Sequence, residues 1–216
     1  MNKSSARPQR FQNQAFYIFV CALCHYLFRC YHSLRVEGQE NIPHKGGIIL
    51  ASNHTSFYDP PALAAGCHRI LHFLARKTLF DHPLFRWLIT NLNAIPVDQE
   101  NPDMTGLRTI ISKLKLGHIV VLFPEGSRTF DGELLPAQPG VGLVVEKAKV
   151  PVLPARFFGM HTAWPRGGSP RFFTPITLVF GKPFIPSSDK TDKRERYQEM
   201  SDQIMAAIAE IQPPKT

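Results

Sequence analysis

In the run Asn53-His54-Thr55-Ser56-Phe57-Tyr58-Asp59, His54 and Asp59 are the side chains whose types suit proton transfer. Imidazole accepts a proton near neutral pH. A carboxylate on its far nitrogen would fix the tautomer and stabilise the imidazolium that forms. The run also allows a plainer reading. An aspartate before Pro60-Pro61 is a good helix N-cap with proline in the first turn, and a strand-end histidine can be purely structural.

A second run weakens the plainer reading. Phe123-Pro124-Glu125-Gly126-Ser127-Arg128-Thr129 carries Arg128, the residue type best suited to multidentate phosphate recognition, with hydroxyl donors on both sides of it. The alternative is a strand-end turn with a surface Glu125–Arg128 ion pair, which would contribute little.

Both runs need elements to position them. Gly47-Ile48-Ile49-Leu50-Ala51 and His118-Ile119-Val120-Val121-Leu122 are short, apolar and β-branched, the pattern of buried strands. The polar runs then sit at carboxyl ends of strands, where open α/β sheets bind ligands. Ile70 to Ala75 predicts another strand, and Arg76-Lys77 at its end places two more cations in the same position. Further strands are expected over Ala94 to Asp98, Val152 to Ala155 and Ile176 to Phe180. Helices are expected over Pro60 to Ala65, Thr105 to Leu116, Val141 to Lys149 and Asp189 to Ile211. Phe157 to Pro175 reads as one Gly/Pro-rich loop containing Trp164, Arg166 and Arg171. Phe80, Leu84, Phe85, Trp87 and Leu88 form an apolar stripe, expected to pack in the core, with a groove wall as the other reading. Strand–helix alternation along 216 residues, without an internal repeat, argues a single α/β domain.

The formal charge of +8 points to a polyanionic partner: nucleic acid, an anionic membrane surface or a phosphorylated substrate. No zinc finger, RRM or basic recognition helix is present, which disfavours nucleic acid. Four cysteines, three of them in one apolar segment, make neither a disulfide framework nor a zinc site and point to a reducing, cytoplasmic setting. No Cys/His cluster offers a metal site.

Residues 1 to 14 carry Lys3, Arg7 and Arg10, and Ala15 to Tyr31 is apolar and aromatic. A signal peptide lacks its small-residue cleavage site here. A spanning helix would be short against the roughly 20 residues a bilayer needs, and His25 and Arg29 interrupt it. A helix in the membrane interface fits better, and a helix packed on the domain is the remaining reading. Residues 1–35 are thus set apart as a basic tail and membrane-associating helix, and 36–216 as the α/β domain.

The pairing of N-H-x-S-x-x-D at Asn53–Asp59 with F-P-E-G-S-R-T at Phe123–Thr129 resembles the PlsC-like glycerolipid acyltransferases, which acylate 1-acylglycerol-3-phosphate. Ala94-Ile95-Pro96-Val97-Asp98 and Val150-Pro151-Val152-Leu153-Pro154-Ala155 are similar to the family's other two blocks, in the same order. The likeness extends from about Val36 to about Pro183.

It implies a single-domain mixed sheet flanked by helices, preceded by the apolar N-terminal helix. It also implies acyl transfer without a covalent intermediate and without metal or cofactor. His54 would be the general base, oriented by Asp59; acyl-CoA or acyl carrier protein would be the donor; and lysophosphatidic acid would be the acceptor. Glu125, Gly126, Ser127, Arg128 and Thr129 would hold the acceptor, Glu125 by orienting Arg128 or a hydroxyl. The expected location is the cytoplasmic face of an anionic membrane, peripheral or monotopic.

Three departures from the family pattern appear. Asn93 stands where glycine is common, Gln99 where arginine is common, and Gln138 where lysine is common. Arg76, Lys77 or Arg156 could supply the missing charge. The departures at Gln99 and Gln138 leave open a relative using glycerol-3-phosphate or another lysolipid. A serine hydrolase lacks its G-x-S-x-G elbow here. A non-catalytic membrane-binding module would have no need of His54 and Asp59.

Overall fold

A computed structural model describes residues 13–98 and 104–214. Gln99, Lys3, Arg7 and Arg10 lie outside the described residues. The strands are β1 (Arg35–Glu37), β2 (Ile48–Ser52), β3 (Leu71–Arg76), β4 (Ala94–Val97), β5 (Ile119–Leu122), β6 (Val152–Phe158) and β7 (Thr177–Phe180). The helices are α1 (Gln14–His32), α2 (Asp59–Gly66), α3 (Pro83–Asn91), α4 (Met104–Lys115), α5 (Pro139–Ala148), α6 (Met160–Ala163) and α7 (Lys193–Glu210).

The strands form one mixed sheet in the order β1-β7-β6-β2-β5-β3-β4. Only the β6–β7 pair is antiparallel among the described pairings of named strands. Side chains alternate across β2, so Ile48 and Leu50 enter one core while Ile49 and Ala51 enter the other. Phe28 of α1, Leu63 of α2 and Met160 of α6 close the first core. Ile110 and Leu114 of α4, Val145 of α5 and Ile204 of α7 close the second. Burial on both faces is the reason these strands read as continuous apolar runs.

Parallel pairing also directs the carboxyl ends of β2, β3 and β5 to one edge of the sheet. His54, Arg76 and the Phe123–Thr129 run therefore gather there, as the sequence predicts.

One departure from the family pattern has a backbone explanation. Asn93 is buried and adopts φ 62°, in the left-handed region. Glycine reaches that region without steric cost, and asparagine is among the side chains that tolerate it best.

Three expectations need correction. The helix after the His54 run begins at Asp59 itself, flanked by Tyr58, so Asp59 lies in the first turn and not at the N-cap. Residues 157–175 are not one loop, because β6 continues through Phe158 and α6 follows it. The apolar stripe of α3 does not enter either core: Leu84, Phe85 and Trp87 are exposed, and no α3 residue is buried. Phe85 and Leu88 instead line the cleft described below, while Leu84 and Trp87 face outward.

Helix α1 is tied to the domain. Tyr17 and Phe28 are buried, and the Tyr17 hydroxyl accepts the Leu71 amide at 3.0 Å. Its opposite face exposes Ile18, Phe19, Leu23, Tyr26 and Leu27. No helix among the described residues is long and apolar enough to cross a membrane.

Candidate active site

Asp59 is buried, and its Oδ2 collects three donors. These are His54 Nδ1 at 2.7 Å, the Thr55 amide at 2.7 Å and the Ser56 amide at 2.8 Å. The tight strand-to-helix turn aims both amides at the carboxylate, while proline in the first turn of α2 removes a competing N–H. Burial pushes the Asp59 carboxyl above the ordinary carboxylate range, and the His54 bond and the two amides oppose that rise. With the carboxylate accepting, His54 carries its proton on Nδ1. Nε2 is left as a lone-pair acceptor on a ring that lines the cleft.

That cleft, about 680 Å³, opens at the carboxyl edge of the sheet. At one end are His54, Gly126, Ser127, Arg128, Arg76 and Arg166; the rest of its lining is largely apolar. The apolar walls come from α1 (Val20, Cys21) and from the α3 region (Leu79, Phe85, Leu88), with the end of β3 between them. One cavity thus joins the His54 imidazole, a cluster of guanidinium groups and an extended apolar surface.

Glu125 does not meet Arg128. Its Oε1 accepts the His54 amide at 2.7 Å and its Oε2 accepts the Leu135 amide at 3.0 Å, and the carboxylate is buried. The expected surface ion pair, and the role of orienting Arg128, are both replaced by a clasp between the loop after β2 and the loop after β5. Burial raises the Glu125 carboxyl, with the two amides opposing.

Thr129 also turns away from the cleft. It is buried, its hydroxyl donates to Asp131 Oδ1 at 2.6 Å, and its amide donates to the His54 carbonyl at 3.0 Å. Together, Glu125 and Thr129 fasten the Phe123–Thr129 run to both backbone groups of His54. Gly126 sits at φ 72°, where a side chain would be strained, and a Cβ there would press on Gln138 at 3.1 Å.

The arginines and Lys77 separate. Arg76 and Arg128 line the cleft. Lys77 pairs with Asp98 at 3.6 Å and is not in the lining. Arg156 is spent elsewhere, its Nη1 donating to the Ala209 and Ile211 carbonyls at the end of α7.

Arg128 lies with its Cζ 3.4 Å from the centroid of the Phe57 ring, and its buried Nη1 has no partner among the described residues. Burial, and then the neighbouring Arg166, lower the Arg128 pKa. Phe57, Phe123 and Arg166 are the contributors that the two motifs do not single out as functional. Phe57 and Phe123 sit inside the motifs as apolar filler, and Arg166 lies in a segment without periodicity.

The acyltransferase family model matches residues 33–157, more than half of the chain. The chain is similar to the 1-acyl-sn-glycerol-3-phosphate acyltransferase of Bacillus subtilis (strain 168), at 29% identity over 83% of this chain and 88% of that protein. It is also similar to a chloroplastic 1-acyl-sn-glycerol-3-phosphate acyltransferase of Brassica napus, at 28% identity over 63% of this chain but only 40% of that longer protein. The crystal structure of the 1-acyl-sn-glycerophosphate acyltransferase PlsC from Thermotoga maritima superposes with a TM-score of 0.70. That match has 28% identity and covers 91% of this chain and 76% of that one. With its strand order, its His54–Asp59 pair and these likenesses, the chain belongs to the acyltransferase family as a PlsC-like O-acyltransferase.

Proposed function

We propose that the protein transfers a fatty acyl group from an acyl thioester, of CoA or of acyl carrier protein, to the free hydroxyl of 1-acylglycerol-3-phosphate, giving phosphatidic acid for phospholipid synthesis. The observation that carries this reading is the His54 Nδ1–Asp59 Oδ2 bond at 2.7 Å, in a cleft that also holds Arg128 and an apolar wall.

In the mechanism, His54 Nε2 takes the proton from the acceptor hydroxyl as its oxygen attacks the thioester carbonyl, forming the C–O bond. Asp59 stabilises the resulting imidazolium through Nδ1–H. Collapse of the tetrahedral intermediate breaks the C–S bond, and the leaving thiolate takes the proton back from Nε2. The protein itself forms no covalent bond. Arg128 and Arg76 hold the acceptor phosphate, and the apolar wall holds acyl chain. The bidentate geometry and weak hydration of guanidinium favour phosphate as the anion.

The acceptor and product are membrane lipids, so the protein works at a membrane surface. The exposed apolar face of α1 would sit in the interface of an anionic membrane, on the cytoplasmic side, as a peripheral or monotopic contact. The charge of +8 favours such a surface. A second reading rests on Gln138 beside Gly126, where lysine is common among the resembled enzymes. A less basic site would suit a lysolipid whose head group carries less charge; glycerol-3-phosphate bears the same phosphomonoester and is the other acceptor to compare.

The test is thiol release from acyl-CoA, or from acyl carrier protein, with separate acceptors. Release that depends on lysophosphatidic acid is expected. Release with a less charged lysolipid, or with glycerol-3-phosphate alone, selects the second reading, and release with water alone would mark a thioesterase.

A further inference from the structure

Arg166 and Arg128 stand on two different loops, yet they meet at one end of the cleft. Arg166 Nη1 donates to the Arg128 carbonyl at 2.8 Å, and its Cζ lies 4.0 Å from the centroid of Phe130. Arg128 rests in the same manner on Phe57, at 3.4 Å. Both rings are exposed, so each guanidinium has an aromatic platform on one face and the open cleft beside it.

The nearby carboxylates are already committed: Asp59 to His54, Glu125 to two amides, and Asp131 to the Thr129 hydroxyl and the Glu133 amide. Among the described residues no acidic side chain pairs with either arginine. Two adjacent cations without a counter-charge repel each other. They stay together because the backbone bond and the two rings hold them. Arg128 Nη1 is buried and has no partner among the described residues.

We infer that Arg166 is a specificity-determining residue of this site, completing with Arg128 a two-guanidinium clamp that selects a dianionic phosphomonoester head group over a singly charged phosphodiester. The inference rests on the acceptor reading above and adds a residue and a selectivity to it. A phosphomonoester carries close to two negative charges at neutral pH and leaves three oxygens free to accept. A phosphodiester carries one charge and leaves two oxygens free, with an alcohol in the position the second arginine would occupy. The clamp also supplies positive charge to a site where Gln138 stands in place of the usual lysine.

The experiment measures steady-state kinetics of thiol release from acyl-CoA on detergent-solubilised full-length protein. The acceptors are lysophosphatidic acid and lysophosphatidylglycerol, which differ in monoester against diester. The variants are Arg166→Ala, Arg166→Lys and Arg166→Gln. The glutamine keeps an N–H donor for the Arg128 carbonyl and removes the charge.

Arg166→Ala and Arg166→Gln are expected to raise the KM for lysophosphatidic acid about 10- to 100-fold, with the KM for acyl-CoA unchanged. Both should shrink the monoester preference in kcat/KM by a similar factor, while Arg166→Lys recovers part of it. If Arg166→Gln matches the wild type in both quantities, Arg166 serves only to hold the loop and the inference fails. It fails equally if all three variants lose activity toward both acceptors in the same ratio. A wild-type enzyme inert toward lysophosphatidic acid would overturn the acceptor reading itself, and the clamp with it. An active wild type whose preference survives Arg166→Ala would overturn the clamp alone.

Discussion

The imidazole of His54 lies flat on the phenyl ring of Phe123, with centroids 4.0 Å apart and planes inclined by 15°. The same imidazole is tied in its own plane to Asp59. A face contact and an edge hydrogen bond restrain different motions, so together they fix the ring's orientation before any substrate arrives. Removing the face contact with Phe123→Ala should lower kcat about 3- to 10-fold while leaving KM values close to wild type, as expected from the worth of one ring pair. Single-turnover rates with saturating acyl-CoA check this; an unchanged rate would mean Asp59 alone orients the base.

Asp59→Asn tests the edge bond. All three donors converge on Oδ2, so asparagine either keeps a neutral amide oxygen there for His54 Nδ1 and the two backbone amides, or turns its NH₂ there and loses all three; either way the charge that stabilises the imidazolium is gone. The kcat is expected to fall by roughly 10³-fold or more with the fold intact. Circular dichroism alongside kinetics checks both halves, and an active, folded Asp59→Asn protein would remove the aspartate from the mechanism.

Arg69 carries a structural prediction at the opposite edge of the sheet. Its Nη1 donates to the Pro43 carbonyl at 2.6 Å, and its Nη2 donates to the Gly46 and Gly117 carbonyls at 2.8 and 2.7 Å. It thus binds the segment entering β2 to the turn entering β5. Arg69→Ala should cost about 2 kcal/mol of stability in urea unfolding. Arg69→Lys should recover little, because a single ammonium cannot span the three carbonyls.

His72 makes the fold acid-sensitive. Burial, then Lys113 and then His118 hold its imidazole down at about 4, against an ordinary 6.5. The folded chain keeps His72 neutral where the unfolded chain would take up a proton. This contribution is complete above pH 6.5 and is lost as pH falls through the window down to about 4. The loss amounts to at most about 3 kcal/mol. Unfolding midpoints at pH 7.5, 6 and 5 should fall more steeply for the wild type than for His72→Leu; parallel slopes would show that another group controls the acid limb.

The exposed face of α1 gives a membrane prediction. Deleting the helix would also remove Tyr17 and Phe28 from the core, so substitution is the cleaner test. Phe19→Asp with Leu27→Asp should leave the unfolding midpoint close to wild type. It should also sharply reduce flotation with vesicles of anionic phospholipid, since two apolar anchors become charges. Undiminished flotation would assign membrane contact to another surface, with Trp87 and Leu84 on α3 the next to substitute.

The sequence by itself determined the sheet and the pairing of His54 with Asp59. Apolar runs such as Ile48–Ala51 and Ile119–Leu122 are short, β-branched and bounded by glycine or polar residues, which selects buried strands over helices, and a polar run directly after each emerges at its carboxyl end. His54 and Asp59 lie close enough in the chain for one tight turn to join them. Asn93 was legible as a departure from the family pattern, and its left-handed backbone gave the reason.

Tertiary structure decided what depends on segments distant in sequence. Glu125 reads locally as a partner for Arg128, but its carboxylate meets the amides of His54 and Leu135, which only folding brings near it. The stripe on α3 reads as core because amphipathic spacing specifies an apolar face without naming what covers it. Arg166 stands in a stretch with no period and no motif, 38 residues from Arg128, and reaches the cleft because β6 and α6 carry the chain back across the sheet edge. Local patterns fix which face of an element is apolar and where a strand ends. Which charges become neighbours is set by how the layers close, and here that closure brings Arg76, Arg128 and Arg166 to the same cleft as His54.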